Sequence, residues 1–146
     1  MARIRQVGAL HALRSEDAGL AAQRLAEALD WHEKTGSQTG IREEILYAAE
    51  LAMLADLPEA ALCLLGAHGA VMGQIGYVYH PVHRRLVDTI VSTARRQLDP
   101  TGADAAWARG QAMTEEATVA YVVGVLLPSV TPAPTRIAPP PRPGSG

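Results

Sequence analysis

The sequence predicts an all-α protein, built as a stack of about three antiparallel helical hairpins from seven helices. Two patterns carry this prediction: apolar residues recur at helical spacing along most of the chain, and two of the resulting helices match each other. Composition agrees, because the chain has no Phe and few aromatic residues of any kind. Its core must be built mainly from aliphatic side chains and alanine, which is also the best helix former.

Helical spacing is clearest in residues 41–55, where apolar residues recur every three or four positions and so share one face. These residues are Ile41, Ile45, Ala48, Ala52 and Ala55. Polar segments rich in Gly or Pro separate this helix from its neighbours. We predict helices over approximately residues 3–13, 16–34, 41–55, 56–72, 81–98, 101–109 and 114–127.

Residues with capping chemistry mark several of the predicted helix ends. Asp56 is predicted to cap the fourth helix, and Thr101 with Asp104 to cap the sixth. Thr114, which two glutamates follow, is predicted to open the seventh helix. Gly110 is predicted to end the sixth helix, because glycine tolerates the turn that follows a helix.

The segments DAGLAAQRLAEA (17–28) and DLPEAALCLLGA (56–67) align as an internal repeat. The aligned pairs are Asp17 with Asp56, Ala21 with Ala60, Ala22 with Ala61, Leu25 with Leu64 and Ala28 with Ala67. Small residues three and seven positions apart let a neighbouring helix nest against one face, as in tetratricopeptide repeats. We therefore predict a tetratricopeptide-like right-handed stack. The alternative is a chance similarity between two Ala-rich helices.

Composition divides the chain into a helical-repeat domain over residues 1–127 and a tail over residues 128–146. The tail, PSVTPAPTRIAPPPRPGSG, is rich in proline and poor in large apolar residues. Such a segment has little to bury, so we predict that it is extended and disordered. A docking motif for a proline-binding module is a lesser alternative.

Charge and cysteine content narrow the classes of function. The net charge of −2 argues against a general attraction to nucleic acid or to acidic membranes. Cys63 is the only cysteine, so no intrachain disulfide is possible and a reducing compartment fits. We find no segment with the pattern of a signal peptide or the length of a membrane span. The expected location is therefore the cytoplasm.

Three segments occur in an order that resembles a known family: AALCLLGAHGAVMGQIG (60–76), HPVHRRLVDTIVSTARRQLDP (80–100) and WARGQAMTEEATVAYVV (107–123). They resemble the C-terminal helical-repeat region of large bacterial transcriptional regulators. Those regulators combine a LuxR-type or winged-helix DNA-binding domain, a nucleotide-binding ATPase module and tetratricopeptide repeats. The resemblance covers residues 17–123 and implies a helical stack. Two departures are Glu115, where the family has an apolar residue, and residues 77–79, which replace a Pro-rich polar stretch.

The resemblance implies only the repeat module. The ATPase module of such regulators needs a GxxxxGK[ST] loop, and this sequence has no such string. We therefore predict a non-enzymatic protein–protein interaction or ligand-sensor module connected with transcription regulation, without a cofactor. Because two full repeats are short for a solenoid, we also expect a homodimer.

Trp107 has a predicted structural role, as a lid. A helical stack needs a closing element, since its last apolar face would otherwise meet water. We predict that Trp107 fills the gap between the fifth helix and the last hairpin. Residues of the seventh helix are predicted to lie over the same end; they are Val119, Val122, Val123 and Leu126.

Aromatic residues and histidines supply a candidate groove for a partner or ligand. The candidates are Trp31, Tyr47, Tyr77, Tyr79, His80 and His83. Tyr77 and Tyr79 fall in the longest connection, where binding residues tend to collect. A pure packing role is the competing interpretation. The alternative function is a small helical ligand-binding protein or enzyme that uses His68 and the segment 77–83.

Two further features have a chemical interpretation and a simpler one. His80 and His83 have the spacing of metal ligands, but a zinc site needs three or four, so His68, Asp88 or Cys63 would have to join them. A plain helix start is preferred, and no metal site is predicted. Cys63 lies mid-helix among leucines, so we predict a buried, unreactive thiol with a raised pKa.

Two arginine pairs lie on the predicted fifth helix, Arg84 with Arg85 and Arg95 with Arg96. Their spacing is three helical turns, so they line one side and have the charge to grip phosphates. The simpler interpretation is a solvated face on which Arg84 pairs with Asp88 one turn later. We adopt it, and nucleic acid is not an expected partner.

Overall fold

The computed structural model describes residues 18–76 and 78–130, and within these residues it has six helices and no strand. This confirms the predicted all-α class. The predicted helix over residues 3–13, Tyr77, and the tail from residue 131 onward lie outside the described residues. Within the described residues, no helix combines the length and the apolar character that crossing a membrane requires.

The first five helices are α1 (Ala18–Thr35), α2 (Gln38–Leu54), α3 (Pro58–Gln74), α4 (Pro81–Gln97) and α5 (Pro100–Gln111). The last, α6, has an α-helical part at Glu115–Tyr121, a π-helical part at Val122–Leu126 and an α-helical end at Leu127–Val130. α1 and α3 each pack against α2, and α3 also contacts α4, α5 and α6. α3 is therefore the central helix of the stack.

Two helix starts differ from their prediction. α2 begins at Gln38 because Ser37 Oγ accepts a hydrogen bond from the backbone N–H of Gly40 at 3.1 Å. α5 begins at Pro100 because the Asp99 carboxylate accepts from the N–H of Gly102 at 3.2 Å. Asp99 is thus the capping residue, whereas the sequence analysis assigned the cap to Thr101, two residues later.

The starts of α3 and α6 also test the predicted caps. Asp56 does not cap α3: it adopts a left-handed conformation with φ 63° in the turn, and Leu57 precedes the helix without a side-chain cap. Pro58 supplies the start instead, since it occupies the first turn, where no N–H is needed. Thr114 does cap α6, because its hydroxyl accepts from the N–H of Ala117 at 3.0 Å. That prediction is confirmed.

The internal repeat corresponds to equivalent positions in α1 and α3. Every aligned pair within the described helices is buried: Ala21 with Ala60, Ala22 with Ala61, Leu25 with Leu64 and Ala28 with Ala67. The helices that carry these residues, α1 and α3, both pack against α2.

Two glycines permit a close approach between α3 and α5. A Cβ atom on Gly110 would overlap the backbone carbonyl of Cys63, and one on Gly66 would lie 2.5 Å from the carbonyl oxygen of Trp107. Gly110 was predicted to end the sixth predicted helix, which is α5 in the structure, but α5 continues to Gln111. This glycine is needed for backbone-to-backbone contact rather than for a turn.

α6 continues through Pro128, where the sequence predicted the start of the disordered tail. A proline inside a helix lacks an N–H, and its ring crowds the carbonyl four residues earlier. The preceding π-helical turn shifts the hydrogen bonding, so that Leu127 donates to Val122. We attribute the continuation past Pro128 to this local widening, which moves the helix end to Val130.

The predicted lid residues divide into buried and exposed members. Val122 and Leu126 are buried in the main core, and Val119 packs against it partly buried. Trp107 is also partly buried and contacts both the main core and the smaller cluster of Leu62, Ala94, Ala103 and Ala106. Val123 is the exception, because half of it is exposed.

Gly110→Ala should lower the free energy of unfolding by about 3 kcal/mol, since the new methyl group meets backbone atoms that cannot rotate away. Gly73→Ala is the matched control, because a Cβ there meets nothing within 4 Å. That control should be neutral or stabilising by up to about 1 kcal/mol. Urea unfolding followed by circular dichroism measures both, and equal effects would contradict the proposed close contact.

Trp107→Ala should cost about 2–3 kcal/mol of unfolding free energy, because this side chain links the two apolar clusters. Trp31→Ala removes the other tryptophan, which is 47% exposed, and should cost less than about 1 kcal/mol. Thermal and urea unfolding of the two variants gives the comparison. If the Trp107 variant is as stable as the Trp31 variant, the predicted role of Trp107 as a lid is wrong.

Candidate functional site

A small pocket lies at the junction of α2, α3, α4 and the connection before α4. Its volume is about 80 Å³, enough for a few waters or a small chemical group. The lining is partly apolar and partly polar; the residues are Thr39, Arg42, Glu43, Leu46, His68, Met72, Ile75, Tyr79 and His83. An apolar pocket with a few polar groups is the usual composition of a small-molecule site.

His68 is the most buried titratable group of this pocket, with 2% of its surface exposed. It belongs to a run of nine consecutive buried residues, 60–68, that makes α3 the central helix. Its ring stacks on Tyr79, with 5.4 Å between centroids, and Nδ1 lies 2.7 Å from the Tyr79 hydroxyl oxygen. Nε2 is buried and makes no hydrogen bond to any described residue.

Burial lowers the pKa of His68 to about 4, so the imidazole is neutral at pH 7. The backbone of Arg42 opposes this change, and the charges of His83 and Arg42 reinforce it. The Arg42 backbone is thus close enough to favour a protonated ring, but it does not reach hydrogen-bond geometry with Nε2. The result is a neutral polar group inside an apolar wall.

Tyr79 holds the outer side of His68. The Arg84 guanidinium lies 5.2 Å from the centre of the Tyr79 ring, a cation–π arrangement. Burial raises the pKa of the Tyr79 hydroxyl, and the Arg84 charge opposes this, so the phenol stays protonated at pH 7. Tyr79 therefore reaches His68 as a neutral hydroxyl with one proton to donate.

Arg42 lies at the pocket but is engaged by the start of α6. Its Nε donates to Glu115 at 2.7 Å and a terminal nitrogen donates to the other carboxylate oxygen at 3.3 Å. About a fifth of each side chain is exposed. This two-point pair explains the polar residue at position 115, where the resembling regulators have an apolar one: Glu115 ties α6 to α2.

The structure brings together only part of the predicted groove. Tyr79 and His83 line the pocket with His68, whereas Trp31, Tyr47 and His80 are not among its lining residues. Tyr47 packs against the core, and Tyr77 lies outside the described residues. His80 caps α4, because its Nδ1 accepts from the N–H of Val82 at 3.3 Å.

Sequence reasoning missed most of the pocket wall, namely Thr39, Arg42, Glu43, Leu46, Met72 and Ile75. A usable signal was present on α2, where residues 39, 42 or 43, and 46 follow helical spacing. That signal identifies one helix face, and it does not distinguish a pocket wall from an ordinary core contact.

The remaining chemical candidates have structural roles. Cys63 is buried, its Sγ lies 3.7 Å from Met113 Sδ, and burial raises the pKa of its thiol as predicted. In the described part of the chain, no three His, Cys, Asp or Glu side chains are grouped as metal ligands. His80 and His83 approach each other edge to face, with 6.3 Å between ring centroids.

Three of the four α4 arginines make intramolecular contacts. Arg84 lies 3.9 Å from Asp88, the predicted pair, and Arg95 donates to Asp104 of α5 at 2.9 Å. Arg96 donates to the hydroxyls of Ser92 and Thr93. These contacts fit the preferred interpretation of a solvated, paired face.

His68 should make stability fall as the pH drops from about 6.5 to about 4. The unfolded chain takes up a proton near pH 6.5, whereas the folded protein takes it up only near its lower pKa. The loss should be on the order of 3 kcal/mol. Urea unfolding across this range, compared with His68→Gln, isolates the contribution. Equal pH dependence in both proteins would contradict the lowered pKa.

Comparison with models of protein families, with curated proteins and with solved structures gave no match to this chain.

Proposed function

We propose that this chain is a non-enzymatic helical-repeat module that binds a small ligand in the pocket between α2, α3 and α4. The observation that carries the proposal is the lining of the pocket, which combines the apolar Leu46, Met72 and Ile75 with the buried His68 and the Tyr79 hydroxyl that it contacts. An apolar pocket with a few polar groups is the usual composition of a small-molecule site.

Other groups at or near the pocket support binding rather than catalysis. His68 is neutral and buried, and it contacts a tyrosine rather than a carboxylate that would strengthen it as a base. His80 serves the start of α4, and the Cys63 thiol packs against Met113. We therefore assign recognition, not a reaction, to the pocket.

The proposal includes kinship with the C-terminal, tetratricopeptide-like region of bacterial transcriptional regulators. It is supported by helices at the three resembling segments and by the burial of the repeat positions in α1 and α3. A sensor role suits such a module, because three helices, α2, α3 and α4, meet at the pocket. A ligand there would alter how α4 and its preceding connection pack on α2 and α3.

The ligand proposal is tested by screening small fragments with ¹H–¹⁵N NMR. Fragments that bind should shift amide signals near Arg42, Leu46 and Met72. Ile75→Trp should abolish these shifts, because Ile75 is a half-exposed pocket residue whose enlargement closes the opening.

Val78→Trp is the matched control for this screen. Val78 is 83% exposed and does not line the pocket, so binding should be unchanged in this variant. Shifts that gather elsewhere, or that survive Ile75→Trp, would contradict the proposed site. If no fragment of the library shifts any amide signal, the proposed site is contradicted as well.

Self-association belongs to the same proposal. A wide groove of about 900 Å³ runs between the start of α2 and α6, lined on its apolar side by Ile41, Val119 and the half-exposed Val123. Burial of this side against a second copy would remove apolar surface from water. Sedimentation velocity should show a dimer that Val123→Glu dissociates, and a concentration-independent monomer would end this part of the proposal.

A further inference from the structure

The wide groove between the start of α2 and α6 carries acidic side chains beside its apolar side. Glu33 and Glu116 line it, both are exposed, and neither makes an ion pair with any described residue. The third acid of the groove, Glu115, is paired with Arg42. Glu116 lies one helical turn before Val119 on α6, so the charge and the apolar surface belong to one face. Two copies that met groove to groove would bring like charges together, which is unfavourable.

The start of α4 combines exposed apolar side chains with the opposite charge. Val78 and Val82 are the two most exposed large apolar residues of the described chain, at 83% and 62%. Arg85 follows Val82 by one helical turn, is exposed, and makes no ion pair with a described residue. Asp88, the acidic residue of α4, lies 3.9 Å from Arg84 instead. We call Val78, Val82 and Arg85 the α4 corner.

The groove and the α4 corner complement each other in charge and in polarity. The two valines of the corner expose apolar surface to water, and the apolar side of the groove can cover it. The guanidinium of Arg85 would meet the two acids of the groove, whereas corner against corner would repel. No residue of the corner lines the groove of its own copy, so a second copy must supply it.

We propose that the groove takes the α4 corner of a second copy of this chain, with Arg85 against Glu33 and Glu116 and with Val78 and Val82 on the apolar side. This inference rests on the self-association proposed above and names the two surfaces that meet. Contact between unlike surfaces has a signature of its own. Reversing the charge of either surface should weaken the contact, and reversing both should restore it.

Charge reversal tests the pairing. Arg85→Glu and Glu116→Arg should each weaken self-association at least about tenfold, because each places like charges across the contact. A chain that carries both substitutions should recover most of the lost affinity, since an opposite pair is formed again. An equimolar mixture of the two single variants should associate for the same reason. Sedimentation velocity over a series of protein concentrations measures each case.

Arg96→Glu is the matched control. Arg96 is also exposed on α4, but it lies three helical turns, about 16 Å, beyond Arg85 and donates to the hydroxyls of Ser92 and Thr93. This variant changes the net charge as Arg85→Glu does, and it should self-associate as the unmodified chain does. Circular dichroism of every variant shows whether the helices are intact.

The outcomes separate this inference from the self-association on which it rests. A dimer that Val123→Glu dissociates and Arg85→Glu leaves unchanged would overturn the α4 corner as the partner surface. Single variants that weaken association without recovery in the double variant or the mixture would overturn the pairing of Arg85 with Glu116.

Two further results would end the proposal at the level of self-association. One is a monomer at every concentration, which leaves the ligand pocket to be judged by the fragment screen. The other is a chain that associates only after residues 1–17 are removed, which would show that this segment, and not a second copy, covers the groove.

Discussion

The close approach of α3 and α5 is the contact on which the rest of the stack depends. Glycines at positions 66 and 110 let the two backbones touch, which no other residue type permits at that distance. With α5 this close on one side and α2 on another, α3 is enclosed through nine consecutive residues. A helix enclosed in this way gains apolar burial on every face, so its neighbours are fixed around it.

Enclosure of α3 also accounts for the candidate site. His68 lies at the end of the buried run, so it is withdrawn from water although it is polar. Such a group needs a partner from the surrounding elements, and the connection before α4 supplies Tyr79. One ring has two nitrogens, however, and the connection satisfies only one. The pocket and the buried ring nitrogen without a hydrogen bond are thus consequences of the same packing that stabilises the fold.

Local chemistry in the sequence predicted the helices well, and contacts between distant residues explain where it failed. The spacing of alanines and leucines predicted which faces pack, and Thr114 was recognised as a cap from its neighbours alone. Near α5, both Asp99 and Thr101 have capping chemistry, and only the path of the chain decides between them. From the sequence alone Gly110 resembles a helix end, because its close contact with Cys63 can be recognised only in the folded structure.

The candidate site was predictable where polar residues cluster, as at Tyr79 and His83. Leu46 and Met72 were not predictable as site residues, because apolar residues of a pocket wall have the same sequence spacing as residues of the core.

The pairing of Arg42 with Glu115 shows how a residue remote in sequence sets the chemistry of the pocket. Glu115 contributes no surface to the pocket, yet its carboxylate neutralises the one guanidinium that lines it. An apolar residue at position 115 would leave that guanidinium without this partner. The ion pair therefore sets the charge of the pocket wall from the start of α6, whereas α2 and α3 set the shape of the wall.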